Sequence, residues 1–285
     1  MTTSSKKTWF VTGASKGLGL LLVQQLLEQG YAVAATSRNA DDLRRAVGTG
    51  TPETFLPLQV DLANEASVGR AIQATVAAFG RIDVVVNNAG YGLIGSLEEL
   101  TDDETRQNFD INVFGLLNVL RQATPQLRAQ QAGRVFNISS IGGFSGNFSG
   151  FGVYCATKFA VAGLTESYAA EVARFGIRAT VVYPGYFRTE FLSAGSVSTP
   201  QQPIDAYQEV RDTQAAHEQE INGQQPGDPA KAVALLIEIS AVEQPPLSLF
   251  LGPDAYQVAG QKIAAVQQDM EQWKVQATAT DFAVA

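Results

Sequence analysis

A doubly wound α/β domain, with helices on both faces of a parallel sheet of about seven strands, is the fold this sequence predicts. Three observations carry that expectation. Short β-branched, apolar runs alternate with longer stretches of helical period over most of the 285 residues, a rhythm that implies right-handed crossovers and a parallel sheet. Runs such as Val84-Val85-Val86 are apolar throughout, as strands covered on both sides must be. Between the first such run and the first helical stretch lies a glycine-rich turn, Thr12 to Gly19.

Taken in order, the expected strands are Thr8–Val11, Tyr31–Thr36, Phe55–Val60, Ile82–Asn87, Arg134–Ile138, Ile177–Tyr183 and Leu247–Leu251. Helical patterns fall at 17–29, 64–79, 103–130, 153–174 and 228–242, with a weaker one near 40–47. Two stretches break the rhythm. Residues 142–152 are glycine-rich with three phenylalanines and read as a mobile loop with apolar contacts. Residues 190–227 are polar and Gln-rich, interrupted by Pro200, Pro203 and Pro226, and read as a lid-like excursion from the sheet. An amphipathic helix over 254–275 follows the last strand and runs into a partly disordered tail ending at 285. No linker or internal repeat divides the chain, so a single domain over 1–285 is expected.

Composition narrows the classes of function. A net charge of −8, with no run of Lys or Arg longer than two, argues against nucleic acid or an anionic membrane as partner. The single Cys155 leaves no intramolecular disulfide and fits a reducing compartment. The N-terminus enters the first strand without a signal-peptide core, and no apolar run is long enough to span a bilayer. A soluble, cytoplasmic protein is expected. With His217 as the only histidine, placed in the polar excursion, neither a His-based metal site nor a Ser–His–Asp hydrolase is expected.

The turn Thr12-Gly13-Ala14-Ser15-Lys16-Gly17-Leu18-Gly19 suits a dinucleotide. Glycines let the backbone approach a pyrophosphate, and the following helix N-terminus attracts it. An acid at the end of the second strand would accept from the ribose hydroxyls of NAD and repel a 2′-phosphate. Ser37, Arg38 and Asn39 stand there instead, and Lys16 adds a second cation near the same place, so NADP (NADPH) is the expected cofactor.

Tyr154 and Lys158 are four apart, one helical turn, and share a face. A phenol near pKa 10 moves a proton at neutral pH more easily if that value drops, and a neighbouring ammonium lowers it. Ser139 and Ser140 end an expected strand, where a hydroxyl can hydrogen-bond a substrate carbonyl in the ligand crevice of a doubly wound sheet.

The whole pattern resembles the short-chain dehydrogenases/reductases over about residues 6–190. It runs from the glycine turn through Asp61, Asn87-Asn88-Ala89-Gly90, Asn112, Ser140, Tyr154 and Lys158 to Pro184, Gly185 and Thr189. The stretch from Val153 to Ala160, with Gly163 to Ser167, looks most like the hydroxysteroid and retinol dehydrogenase branch. The resemblance implies a Rossmann-type fold and interconversion of a ketone or aldehyde with its alcohol. It implies that Tyr154 is the general acid in reduction and that Lys158 lowers its pKa and holds the nicotinamide ribose. Ser140 would polarise the carbonyl, in preference to Ser139, and Asn112 would hold a water linking Lys158 to solvent. Asp61, Leu62, Asn88, Ala89 and Gly90 would border the adenosine half. Pro184, Gly185, Phe187 and Thr189 would line the nicotinamide carboxamide. A homodimer or homotetramer pairing through the helices at 103–130 and 153–174 is implied as well.

Two rival readings stand beside this one: epimerase or dehydratase chemistry of the related extended family, and a nucleotide-sensing protein without turnover. The first usually needs a longer chain with a C-terminal substrate domain, and the second usually lacks the Tyr or the Lys. Plainer readings exist for single residues. Cys155 would pack against the sheet, Asp61 would cap a helix, Asn112 would be a satisfied core group, and the acids at 98–104 would form a solvated helix start. Phe144, Phe148, Phe151, Tyr186, Phe187 and Phe191 would either line an apolar pocket for a hydrophobic carbonyl or alcohol substrate, or anchor loops in the core.

Overall fold

The computed structural model describes residues 7–193 and 195–282; the first six residues and the last three of the expected tail lie outside the described residues. Strand β1 (Thr8–Val11) leads through the glycine turn into α1 (Gly17–Glu28), then β2 (Ala32–Ser37), α2 (Ala40–Val47), β3 (Phe55–Gln59), α3 (Glu65–Phe79) and β4 (Val84–Asn87). After β4 come β5 (Gly92–Leu93), α4 (Asp102–Phe109), a π-helical turn at 110–115 and α5 (Leu116–Gln130). The second half holds β6 (Gly133–Ile138), α6 (Gly152–Val172), β7 (Ile177–Pro184), β8 (Val197–Ser198), α7 (Gln208–Ala215), α8 (Pro229–Ile239), β9 (Ser248–Leu251) and α9 (Pro253–Thr278).

Seven strands form one parallel sheet in the order β3-β2-β1-β4-β6-β7-β9. Period-two alternation distributes the core between its faces. Trp9 and Val11 join the layer covered by α1 and α8, whereas Phe10 joins the layer covered by α3, α5 and α6. Helix α1 shows why such segments coil: Gly19, Leu22, Val23 and Leu26 bury one face at helical spacing. The chain crosses from β1 to β2 on one side and from β3 to β4 on the other. The strand order therefore reverses beside β1, and the crevice opens at the carboxyl ends of β1 and β4.

The expected strands all form, and the departures lie between them. The stretch at 103–130 is not one α-helix, because a π turn from Asp110 to Gly115 separates α4 from α5 and contains Asn112. Such bulges are rare and often mark functional positions. The loop at 142–152 is pinned: Phe144 packs edge-on against Tyr183 and Phe250, with ring centres 5.6 and 5.0 Å apart. The excursion at 190–227 contains β8, α7 and a second π turn, and β8 pairs in parallel with β5. Helix α9 runs three residues beyond the expected end at 275, to Thr278. No helix among the described residues is long and apolar enough to cross a membrane.

Candidate active site

The glycine turn and the end of β4 lock together. Thr12 Oγ1 accepts from the backbone amides of Asn88 and Ala89 at 3.0 and 3.1 Å, and Asn88 Nδ2 donates to the Thr12 and Gly13 carbonyls at 3.0 and 2.9 Å. Gly13 sits at φ +66, where a Cβ would lie 2.7 Å from Ala89 Cα, and at Gly19 a Cβ would lie 2.5 Å from Asn88 Nδ2. Gly17 differs: at φ +58 its missing Cβ would meet only Thr189, at 3.8 Å. It keeps the mouth of the turn open. The amides opening α1 have no side-chain cap and no acid in the first turn. An open glycine cradle at an uncapped helix N-terminus fits a dinucleotide pyrophosphate.

At the end of β2, Asn39 caps α2 by accepting from Asp41 and Asp42, and those two acids pair with Arg44 and Arg45. Arg38 has no ion pair among the described residues and lines the cleft with Ser37. Lys16 lines the same cleft, and its Nζ donates to the Gly195 carbonyl at 2.9 Å. Asp61 forms a local turn onto the Ala63 amide at 3.0 Å, and Asn64 is the residue that caps α3.

On the other side of the cleft, Ser139 and Ser140 separate by function. Ser139 is buried and donates to the Lys158 carbonyl at 2.8 Å, which ties β6 to α6. Ser140 Oγ accepts from the Gly142 amide at 3.1 Å, so its proton is left for another acceptor. The side-chain hydrogen-bond partner of Ser140 is the Tyr154 phenol, and either hydroxyl can donate. A Cβ on Gly142 would lie 3.5 Å from Ser140 Oγ and 3.7 Å from Tyr154 Cε1, so the glycine allows the two side chains to converge. Lys158 Nζ donates to the Ile138 carbonyl at 3.0 Å and stands 5.7 Å from the centre of the Tyr154 ring.

The electrostatics correct one expectation. Burial pushes the Tyr154 phenol well above its usual range, and the Ser140 hydrogen bond only partly opposes this. Burial also brings Lys158 down to about 8. The ammonium is held on a carbonyl rather than on the phenol oxygen, and desolvation dominates both groups. Asn112 is held by its neighbours. Its Oδ1 accepts from the Tyr91 amide at 3.0 Å, and its Nδ2 donates to the Tyr91 carbonyl at 3.0 Å and to Thr157 Oγ1 at 3.1 Å. The side chain clamps the post-β4 segment to α6.

Most residues singled out above for cofactor or catalysis, Ser140, Tyr154, Lys158 and Arg38 among them, line one cleft of about 1030 Å³; Thr12, Ala14, Gly19, Asn39, Asn87 and Asn112 lie outside its lining. Phe148, Phe151, Tyr186, Phe187 and Phe191 line it too, whereas Phe144 is a core anchor. Cys155 clusters with Ile94, Phe151, Tyr154 and Val210 beneath the excursion rather than against the sheet, and burial pushes its thiol up to about 11.

Sequence reasoning missed three polar residues. His217 lies on the cleft wall: its Nδ1 donates to the Thr213 carbonyl at 2.7 Å, and its Nε2 is hydrogen-bonded to the Tyr186 hydroxyl at 2.9 Å. Gln225 also lines the cleft and is 2% exposed, and neither end of its carboxamide has a hydrogen-bond partner among the described residues. Glu99, expected as a solvated acid, is buried. It accepts from Ser96 and Ile204 amides and from Arg211 Nη2, at 2.9 Å to each carboxylate oxygen. Only the Gln-rich polarity of 190–227 hinted at His217 and Gln225, and the Glu99 contacts reach residues more than 100 positions away. No group of three or more His, Cys, Asp or Glu among the described residues could hold a metal ion.

A doubly wound sheet with a glycine cradle at its switch point, and Ser140 beside the buried Tyr154 and Lys158 on the same cleft, defines a Rossmann-type dinucleotide-binding protein. The chain belongs to the short-chain dehydrogenase family of oxidoreductases, whose family model, described as short chain dehydrogenase, matches residues 7–197. It is 34% identical over 268 residues to Oxidoreductase BOA17 of Botryotinia fuckeliana, covering 94% of this chain and 97% of that protein. It is 37% identical over 246 residues to the 3-ketodihydrosphingosine reductase of Bacteroides thetaiotaomicron, covering 85% and 87%. A short-chain dehydrogenase from Streptomyces avermitilis superposes with a TM-score of 0.89 at 36% identity, covering 98% of this chain and all of that one.

Proposed function

We propose that this protein reduces a ketone or aldehyde to its alcohol with NADPH, Tyr154 acting as proton donor. The observation that carries the reading is the convergence of Ser140 and Tyr154 at Gly142, on the cleft that the glycine turn also lines. When bound, the dinucleotide supplies the hydride. Ser140, whose oxygen already accepts a backbone amide, turns its proton to the substrate oxygen in place of the phenol. Tyr154, kept protonated by burial, releases its proton to that same oxygen as negative charge develops. The Lys158 ammonium, close to the ring, stabilises the phenolate left behind.

Arg38 at the end of β2, where the nearby Asp41 and Asp42 are paired with Arg44 and Arg45, supports the phosphorylated cofactor. The walls of the cleft supply the substrate class: Phe148, Phe151 and Phe191 make an apolar lining, and Tyr186, His217 and Gln225 make a polar end. A hydrophobic ketone bearing one further hydrogen-bonding group fits that division. The Bacteroides relative is a 3-ketodihydrosphingosine reductase by name, which agrees with the reaction class. The test is loss of reduced-nicotinamide absorbance with a panel of carbonyl compounds graded in apolar length. Consumption of NADPH by long-chain or ring ketones is the expected result, and no consumption with any carbonyl would refute it.

A further inference from the structure

Among the described residues that line the cleft, Gln225 alone is a buried side chain with no hydrogen-bond partner at either end. A buried carboxamide costs stability until something supplies its missing donor and acceptor. Its polar neighbours are already engaged. The Tyr186 hydroxyl and His217 Nε2 bond to each other at 2.9 Å, and Arg188 Nε donates to the main-chain carbonyl of Gln225 at 3.2 Å. Arg211 is held on Glu99. The open space that Gln225 borders is the cleft, so a partner has to come from there. The main chain around it is fixed. The Gly227 amide donates to the Tyr186 carbonyl at 3.0 Å, and the Arg188 amide to the Gly227 carbonyl at 2.9 Å. A Cβ on Gly227 would lie 2.6 Å from the Tyr186 carbonyl oxygen, so glycine lets the two segments lie this close. Gln225 therefore rides on a strap fastened to the segment after β7, which limits the ordering that binding demands. The strap is near the chemistry. Phe151 packs against both Tyr154 and His217, with ring centres 6.1 and 4.9 Å apart.

We propose that Gln225 is a specificity-determining residue, whose carboxamide binds a second, neutral polar group of the substrate that offers both a donor and an acceptor. A hydroxyl or a carboxamide is such a group. This role rests on the carbonyl reduction proposed for the cleft. The Gln225 amino group needs an acceptor and its oxygen needs a donor. An alkyl group meets neither need, and an analogue that lacks the polar group leaves the buried amide unpaired, which is where selectivity comes from. A carboxylate supplies acceptors only and sets its charge against the Gln225 oxygen. The cations on the cleft wall are Lys16 in the glycine turn, Arg38 after β2 and Lys158 on α6, and none of them is on the strap.

Methyl ketones of graded spacer length, ending in hydroxyl, carboxamide, methyl or carboxylate, test this through NADPH consumption. Wild type is expected to favour the hydroxyl and carboxamide ketones over the methyl ketone of equal length by roughly tenfold or more in kcat/KM, mainly through KM. Gln225→Leu and Gln225→Met keep the size of the side chain and remove the amide, and both should collapse that ratio towards one. Without substrate their Tm should equal or exceed that of wild type, because an unpaired buried amide has given way to an apolar group. A lower Tm in both variants would mean that the amide is satisfied inside the fold, and would overturn the proposal. So would a ratio that neither substitution moves. A fall in NADPH affinity matching the loss of selectivity, read by fluorescence titration, would assign the carboxamide to the cofactor instead. Reduction of all four ketones without preference by wild type would sink the subsite alone, whereas reduction of none would refute the reaction and the subsite with it.

Discussion

Tyr154 and Lys158 are both buried one helical turn apart, and the low-dielectric surroundings favour the neutral form of each. For the phenol this keeps the proton in place at neutral pH, as a donor in reduction requires. For the amine, held at about 8, it means that the positive charge is present below that pH and is lost above it. Reduction should therefore be fastest on the acid side and fall as pH rises through about 8, because a neutral Lys158 no longer supports the phenolate. Lys158→Arg, which does not deprotonate, should remove that limb from the kcat profile; a limb unmoved by the substitution would contradict the assignment. At the other end of the cleft, Arg38→Asp places an acid where a 2′-phosphate would approach. It should weaken NADPH by tenfold or more, on the order of 1.4 kcal/mol, and improve NADH. Unchanged preference in a paired titration would remove the reason for favouring the phosphorylated cofactor.

Elements differ in how far their residues announce them. The seven sheet strands were legible because a strand covered on both faces must be apolar throughout, as Val84-Val85-Val86 is. Strands β5 and β8 have two residues each, too few for any period, and exist because Gly92 and Leu93 pair with Val197 and Ser198 across the fold. The same distance hides the anchor of the 190–227 segment: Glu99 and Arg211 are 112 positions apart. Burial alone would raise the Glu99 carboxyl, but the Ile204 and Ser96 amides and the Arg211 guanidinium outweigh it and hold it below its usual range. A depressed folded value means the contribution is full above the ordinary value of 4.5 and is lost as pH falls through the lower folded one. Removing one partner of a buried pair costs roughly 3–5 kcal/mol. Arg211 keeps 25% of its side chain exposed, so Glu99→Gln belongs at the low end. Limited proteolysis should cut within 190–227 faster in that variant, and faster in wild type at acid pH. Equal cutting rates would show that the segment is held by other contacts.

At the scale of the whole molecule, the reversal of strand order beside β1 brings distant parts of the chain to one crevice. The glycine turn, the post-β4 segment, Ser140, α6 and the Pro184–Thr189 segment all meet there. The sequence order of these motifs disclosed that site, since each stands at the end of a strand or on the helix that follows. The polar end of the cleft was not disclosed, because His217 and Gln225 arrive on a polar segment whose path depends on Glu99 and Tyr186. The central claim is that the buried phenol gives the proton while the cradle only binds, and one comparison tests it directly. Wild type and Tyr154→Phe are titrated with NADPH by fluorescence and then assayed with the best carbonyl substrate. Unchanged NADPH affinity with turnover lower by about 10²–10⁴-fold is the predicted result; turnover within a few-fold of wild type would contradict it.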